Sequence, residues 1–364
     1  MRIITDTLSL EIILMKIKSN LIRYRTEKSN AMYKDDFNMN TNSKIEFLEF
    51  KDEQEWHDLR KHSLGGSDMG AILGLNKYRS PLQVYKEKVD DVVRDMSDNV
   101  NVKKGKELED FIRTKYVIPE MLNRGYSVKT CPVTMFNTDT PFIHANLDGL
   151  AIPNAFVSEY TENIVIEIKW VSEYNENSFY TDEYNGIPAY YYAQVQTYMY
   201  VTGAKKAILC ALFDSTWTMH YFEIPRNETF IAHMVNTATR FYNYNFLMKI
   251  PPKYDSSIDK EDICTAVENI DTTNIEKSVE MSEKITHYKE YLKQIKELED
   301  SKKKLLDDIT NMYIEGKRPA DSLNRIKIST YTRTTFDTAK FKADNSSLYN
   351  QYTTETKYPR TSIT

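Results

Sequence analysis

Cysteine is scarce in this chain: Cys131, Cys210 and Cys264 are the only three in 364 residues. They are widely spaced, with no C-x-x-C, so a disulfide framework is excluded and free thiols in a reducing compartment are expected. A four-cysteine iron–sulfur cluster cannot be built from three. Glycine (10) and proline (11) are also few, which argues against a low-complexity or disordered chain. No apolar run approaches the roughly 20 residues that span a bilayer. The N-terminal run Leu8–Ile17 is interrupted by Glu11 and Lys16 and preceded by Asp6, a poor signal peptide. A cytoplasmic protein with no membrane partner is the expectation. A basic excess is missing too: 48 Lys and Arg face 53 Asp and Glu, for a net charge of −5. That argues against a generic basic nucleic-acid coat. It leaves room for an enzyme that holds DNA locally through a few placed cations and a metal.

What is present is the composition of a soluble globular protein, 41% hydrophobic and 28% charged, with 26 tyrosines. The length allows two or three structural units. Residues 1–45 mix short apolar pieces with a polar tract from Lys34 to Ser43 and read as a weakly specified extension. Residues 46–250 are dense in hydrophobic and turn signals and read as one domain. Pro251-Pro252 and the acidic stretch Asp255–Asp262 mark a boundary, so 251–364 forms a C-terminal extension. Within it, 275–314 is a long polar helix pattern. Its apolar stripe runs through Ile285, Tyr288, Leu292, Ile295 and Leu298, breaks at Glu299–Lys304, and resumes at Leu305, Ile309 and Met312. A helix or hairpin packing on its own domain and a coiled-coil contact between subunits both remain open. Arg325–Thr335 alternates like a strand, and Asp337–Tyr352 reads as a short helix.

Within 46–250 the pattern predicts helices at Glu53–His62, from Ser67, from Ser80-Pro81 (serine as N-cap, proline first, Gln83 third) and over Val102–Tyr116. Strands are predicted at Phe142–Leu147 and Asn163–Val171. A helix from Pro188 to about Thr202 follows, then a buried strand Ala207–Phe213 paired with Met219–Ile224. This order is α/β with a mixed sheet.

The chemistry concentrates at Glu167-Ile168-Lys169. An acid and a lysine two apart on a strand share one face, and charging a strand this apolar is costly unless the ions are paired or bind something. A surface Glu–Lys pair on a half-exposed strand is the plainer reading. Asp148-Gly149, nineteen residues upstream of Glu167, ends an apolar segment; the glycine permits a sharp turn that leaves Asp148 at a strand end, although Asp-Gly is also an ordinary hairpin turn. Asp148, Glu167 and the carbonyl of Ile168 together offer three oxygens to a hard cation such as magnesium. Its water can attack a phosphodiester, with Lys169 orienting or deprotonating that water or stabilising charge on the phosphate. Glu109 flanks the buried stripe of its helix and could add a carboxylate, whereas Glu107 and Asp110 read as solvated. Gln194 and Tyr198, four apart, share a helix face and could position phosphate or substrate strand; a tyrosine-rich packing surface is the plainer reading. Upstream, Trp56, Arg60 and Ser67 combine a guanidinium, a hydroxyl and a helix start, an arrangement suited to phosphate. Plain capping by Ser67 or Asp68 is the alternative.

Five blocks in order resemble the YqaJ-like viral recombinase nucleases, relatives of phage lambda exonuclease. They are Leu64-Gly65-Gly66-Ser67-Asp68-Met69-Gly70 onward to Ser80-Pro81, Gly105-Lys106-Glu107-Leu108-Glu109, Ala145-Asn146-Leu147-Asp148-Gly149, Ile166-Glu167-Ile168-Lys169, and Tyr192-Ala193-Gln194-Val195-Gln196-Thr197-Tyr198. The resemblance covers about residues 50–225. It implies a PD-(D/E)xK (restriction-endonuclease-like) core, a central mixed β-sheet flanked by helices, here with a C-terminal helical extension. It implies a magnesium-dependent exonuclease, manganese substituting, that digests linear double-stranded DNA from 5′ ends and leaves 3′ single strands for an annealing protein. Alternatives are a structure-selective or restriction-like endonuclease and a non-catalytic DNA-end-binding protein. Carried over by position, Asp148, Glu167 and the Ile168 carbonyl hold metal, Lys169 is the catalytic lysine, Glu109 is the supporting acid and Gln194 lines the site. Arg60 and Ser67 match 5′-phosphate positions, with Trp56 and Tyr198 in support. Leu147 stands where the fold's name has proline. A trimeric ring follows from the resemblance alone, and so does a host-cell cytoplasmic location if a phage encodes the chain.

Overall fold

In a computed structural model the chain is described over residues 44–360, apart from 51, 91, 93–99, 155–161, 271–275, 321–325, 331 and 356. The expected extension at 1–45 lies almost wholly outside the described residues. The chain divides into two compact units, one ending at Asp259 and the other beginning at Lys260.

The first unit opens with β1 (Ile45–Leu48), α1 (Glu53–His62), β2 (Leu64–Gly65), α2 (Gly66–Ile72) and α3 (Pro81–Val89). Then come α4 (Val100–Ile112), which runs through a π-helical turn at Arg113–Val117 into α5 (Ile118–Asn123), and the strands β3 (Tyr126–Lys129), β4 (Thr134–Asn137), β5 (Thr140–Ala145), β6 (Gly149–Pro153) and β7 (Ile164–Val171). After a short α6 (Glu173–Glu176), α7 (Ala189–Thr202) crosses to β8 (Lys206–Phe213), β9 (Thr218–Pro225) and α8 (Glu228–Arg240). Two sheets result, ordered β1-β4-β5-β2 and β3-β6-β7-β8-β9. In the second, β7 and β8 are parallel while the other neighbours are antiparallel, so the sheet is mixed. The expected α/β class with a mixed sheet and flanking helices is what forms.

The alternating Ile/Val run makes β7 a strand, but it is covered on both faces rather than half-exposed. Ile164, Ile166 and Ile168 pack with Ile112, Val117 and Met121 on one side, and Val165 belongs to the larger core on the other. That larger core holds α7, most of whose residues are buried, as an all-round apolar helix must be. The helix stops at Gly203, whose φ of +74° forms the left-handed cap that glycine adopts without strain.

Local expectations fare unevenly. Glu53–His62 is helical as expected, and Ser80 caps α3 by accepting from the Gln83 N–H at 3.1 Å. The reciprocal bond from Gln83 does not form: its Oε1 is buried without a partner. Ser67 does not begin α2. The cap is Gly65, whose N–H donates to Asp68 Oδ2 at 2.9 Å. A glycine N-cap has no side-chain signal to read, which is why the hydroxyl of Ser67 attracted the assignment. Gly149 makes no sharp turn; it opens β6 opposite Ile166, where a β-carbon would meet Val128 Cγ1 at 3.1 Å.

The second unit contains α9 (Lys260–Glu268), α10 (Val279–Ile314), α11 (Thr338–Asp344) and α12 (Ser346–Gln351). α10 is one continuous helix through Glu299–Lys304. The predicted strand at Arg325–Thr335 does not form among its described residues; alternation without a partner strand has no ladder to join. The expected helix over Asp337–Tyr352 is broken in two at Asn345. Among the described residues no helix is long and apolar enough to cross a membrane.

Candidate active site

The β6–β7 register places Gly149 opposite Ile166, which sets Asp148, just before β6, beside Glu167-Ile168. Asp148 Oδ2 accepts from the Ile168 N–H at 2.7 Å. Its own carbonyl accepts from Arg113 Nε at 3.1 Å. The expected placement therefore forms: an acid at one strand end and Glu-x-Lys on the next strand.

Glu167 is buried to 1% exposure. Its Oε1 accepts from Lys169 Nζ and, at 2.7 Å, from Gln194 Nε2. Gln194 also donates to the Tyr198 hydroxyl at 2.8 Å. Gln194 and Tyr198, one turn apart on the buried α7, therefore belong to the site and not only to a packing surface. Glu109 is half-buried on α4 and paired with Arg113, which also binds Asp110 at 2.9 Å. Glu107 is exposed.

Electrostatically the cluster is short of positive charge. Burial and then Asp148 push the Glu167 carboxyl up to about 8, outweighing Lys169. Burial and then Asp148 also raise Glu109, despite Arg113. Burial would lower the Lys169 ammonium, but Glu167 and Asp148 more than reverse that and raise it. Glu167 Oε2 is buried with no hydrogen-bond partner. Such an orphan is unusual in a native interior and fits a cation. Among the described residues no group of three or more His, Cys, Asp or Glu side chains gathers as a metal cluster. Asp148 and Glu167 offer at most two carboxylates, with the Ile168 carbonyl as the expected third oxygen. This suits magnesium, which is commonly held by one or two carboxylates and keeps several waters.

The upstream residues form a neighbouring cluster. The Arg60 guanidinium lies 4.5 Å from the Trp56 ring centroid. Ser67 is exposed on the first turn of α2. It adjoins Gly66, where a β-carbon would meet Tyr198 Cε1 at 2.5 Å, so this turn packs against the residue that holds Gln194. Beneath it, Asp68 is fully buried and bonded to Arg79 and Lys88, each at 2.8 Å. Burial would raise its carboxyl, but Lys88, Arg79 and Arg60 prevail and hold it well below the usual carboxylate range.

Sequence reasoning missed Arg113, Tyr191, Arg79 and Lys88. Arg113 was readable as the i+4 partner of Glu109. Tyr191, whose ring centroid lies 5.3 Å from Lys169 Nζ, was hidden in the tyrosine run. Arg79 and Lys88 join Asp68 through tertiary packing that spacing does not announce.

Residues 55–205 match the model of the YqaJ-like viral recombinase domain. Every residue of both clusters lies inside that span. "Uncharacterized protein YqaJ" of Bacillus subtilis (strain 168) is 26% identical over 313 residues, 85% of this chain and 93% of the relative. Among solved structures, an alkaline exonuclease (LHK-Exo) from Laribacter hongkongensis is 19% identical with a TM-score of 0.41, covering 52% of this chain and 91% of its own. A phage related exonuclease from Haemophilus somnus 129PT is 15% identical with a TM-score of 0.38, covering 54% and 100%.

Proposed function

We propose that this chain is a magnesium-dependent DNA exonuclease of phage-type recombination, acting 5′→3′ on linear duplex ends and leaving 3′ single strands for an annealing protein. The observation that carries the reading is Glu167: buried, held through Oε1 by Lys169 and Gln194, and left with an unpartnered Oε2 beside Asp148. The YqaJ-like viral recombinase domain that encloses it supports the reading.

Asp148, Glu167 and the Ile168 carbonyl would hold the magnesium ion. When bound, the ion supplies an activated water and Lewis acidity toward the phosphate. The chain's own groups do the rest. Asp148 is fixed at both ends, by the Ile168 N–H on its carboxylate and by Arg113 on its carbonyl. Gln194 fixes the Glu167 carboxylate. Lys169, with its raised pKa, stays an ammonium. It acts as a cation and hydrogen-bond donor toward the attacked phosphate, not as a general base. Arg60 and Ser67 are the candidates for a terminal 5′-phosphate, and manganese serves in place of magnesium. A homo-oligomer, such as a ring that encloses the duplex, would keep the enzyme on its strand.

The test is digestion of linear duplexes, with and without 5′-phosphate, at fixed magnesium. Wild type is expected to degrade the phosphorylated ends faster and to stop in chelator. Lys169→Ala should lose roughly 10²–10³-fold in rate or more while still binding DNA. Full magnesium-dependent activity in Lys169→Ala sinks the assignment. A covalently closed circle cut as fast as the linear duplex turns it into an endonuclease. End binding with no strand loss in either metal makes it a non-catalytic binder.

A further inference from the structure

α10 is a 36-residue helix, about 54 Å long at 1.5 Å per residue. None of its residues is buried, and large apolar side chains stay exposed along it: Leu292 at 47%, Ile295 at 51%, Leu306 at 60% and Ile309 at 47%. The break noted at Glu299–Lys304 is narrower in a seven-residue frame. Counting Ile285 as position a, Leu292 and Leu306 fall at a and Ile295 and Ile309 at d. Only Glu299 (a) and Lys302 (d) interrupt the seam between them. Among the described residues neither has an ion-pair partner.

Those two charges choose a partner and a direction. In a parallel pair Glu299 would face Glu299 of the other helix, and Lys302 would face Lys302. Turned antiparallel about the point midway between Asp300 and Ser301, Glu299 faces Lys302 of a second copy, and Lys302 faces its Glu299. The same turn sets Ile295 against Leu306 and Leu292 against Ile309. Further out, Tyr288 meets Tyr313. We propose that α10 pairs antiparallel with α10 of a second copy of this chain, its register fixed by the reciprocal Glu299–Lys302 contacts. A charged pair inside such a seam costs stability and specifies alignment, which explains why the polar interruption sits at the centre of symmetry.

The flanking positions agree. Leu298 and Leu305, outside the a/d seam at g, come side by side across the pair and add apolar burial. On the opposite flank Lys296 approaches Lys303 of the second copy in solvent, where their repulsion is screened. The lysines also discourage a third helix from joining the α10 pair. The pairing is independent of the nuclease reading, because no residue of α10 belongs to the site.

The experiment uses the full chain in sedimentation equilibrium. Wild type is expected to be concentration-dependent through α10. Glu299→Lys and Lys302→Glu should each weaken association at least about tenfold, and the double reversal should restore it to within about threefold. Direction is read by disulfide trapping in a Cys264→Ser background, where Cys131 and Cys210 are buried. Leu292→Cys and Ile309→Cys proteins, mixed and exposed to oxidised glutathione, should cross-link to each other and neither to itself. A monomer at every concentration overturns the proposal. So does association unchanged by both single reversals, a double reversal that fails to rescue as a second protein's charges would dictate, or Leu292→Cys cross-linking alone.

Discussion

A charged or titratable side chain in an interior must be matched by its surroundings, and His144 shows how that becomes a pH dependence. It is buried, shares a 2.8 Å hydrogen bond between Nδ1 and Ser63 Oγ, and lies near the Asp68–Lys88 pair. Burial, then Lys88 and Arg60, lower it to about 3, with only Asp68 opposing. The unfolded value is about 6.5. Between these two values the unfolded chain carries a proton that the native chain refuses. Stability therefore falls as pH drops from about 6.5 toward 3, with a limiting slope of about 1.4 kcal/mol per pH unit from this group. In His144→Gln the slope across that window should shrink by about one proton. Urea unfolding at several pH values checks it, and equal slopes in the two proteins contradict it. Nothing in the sequence marked His144, because its significance lies in a Ser63 and a Lys88 far away along the chain. Glu167 and Lys169 could be picked out because an i, i+2 pair on one strand is local. The burial of Glu167 could not, since it depends on α7 and α4 closing over opposite faces of the sheet.

Elements position the site through the close approach of α2 to α7. A β-carbon on Gly70 would meet Tyr190 Cβ at 2.7 Å and its Cα at 2.9 Å. The second of these is backbone, which cannot swing aside. Gly70→Ala is therefore expected to push α7 away, at a cost of about 1–3 kcal/mol for overpacking. The alanine helix preference returns up to about 1 kcal/mol, leaving a net loss. Gln194 lies one turn beyond Tyr190, so DNA digestion should fall as well. Gly105→Ala is the contrasting case: it sits in α4 with no atom within 4 Å of the added carbon, and should stabilise by roughly 0.5–1 kcal/mol. Denaturation midpoints of the two variants decide it, and a neutral or stabilised Gly70→Ala refutes the packing argument. Long elements such as α1, α7 and β8 were readable because period and length agree over two or more turns or pleats. The short strands β1, β3 and β4 were not. Four residues leave too few positions for a period, and they become strands only because a neighbour is there to pair with.

At the scale of the molecule, the first unit ends within the span signalled by Pro251-Pro252 and the acidic stretch Asp255–Asp262, at its acidic part and not at its prolines. Pro251-Pro252 is strong local punctuation, yet the first unit continues to Asp259. The reason is a contact that spans 179 residues: Ser80 Oγ donates to Asp259 Oδ1 at 2.6 Å, and both residues are buried to 1%. Asp259 Oδ2 also accepts from the Asp255 N–H at 2.8 Å. Ser80 caps α3, and α3 carries Glu87 and Lys88, which hold Arg79 and Asp68 under the Arg60/Ser67 turn. A chain ending at residue 250 would leave the Ser80 hydroxyl without its acceptor, a loss of about 1–3 kcal/mol for a buried polar group. A chain ending just after Asp259 keeps the contact. The shorter chain should therefore unfold at lower urea than the longer one, and Asp259→Ala in the full chain should reproduce most of the difference. If the two truncations unfold together, the Ser80–Asp259 contact does not anchor α3, and the punctuation at Pro251-Pro252 marks the end of the unit after all.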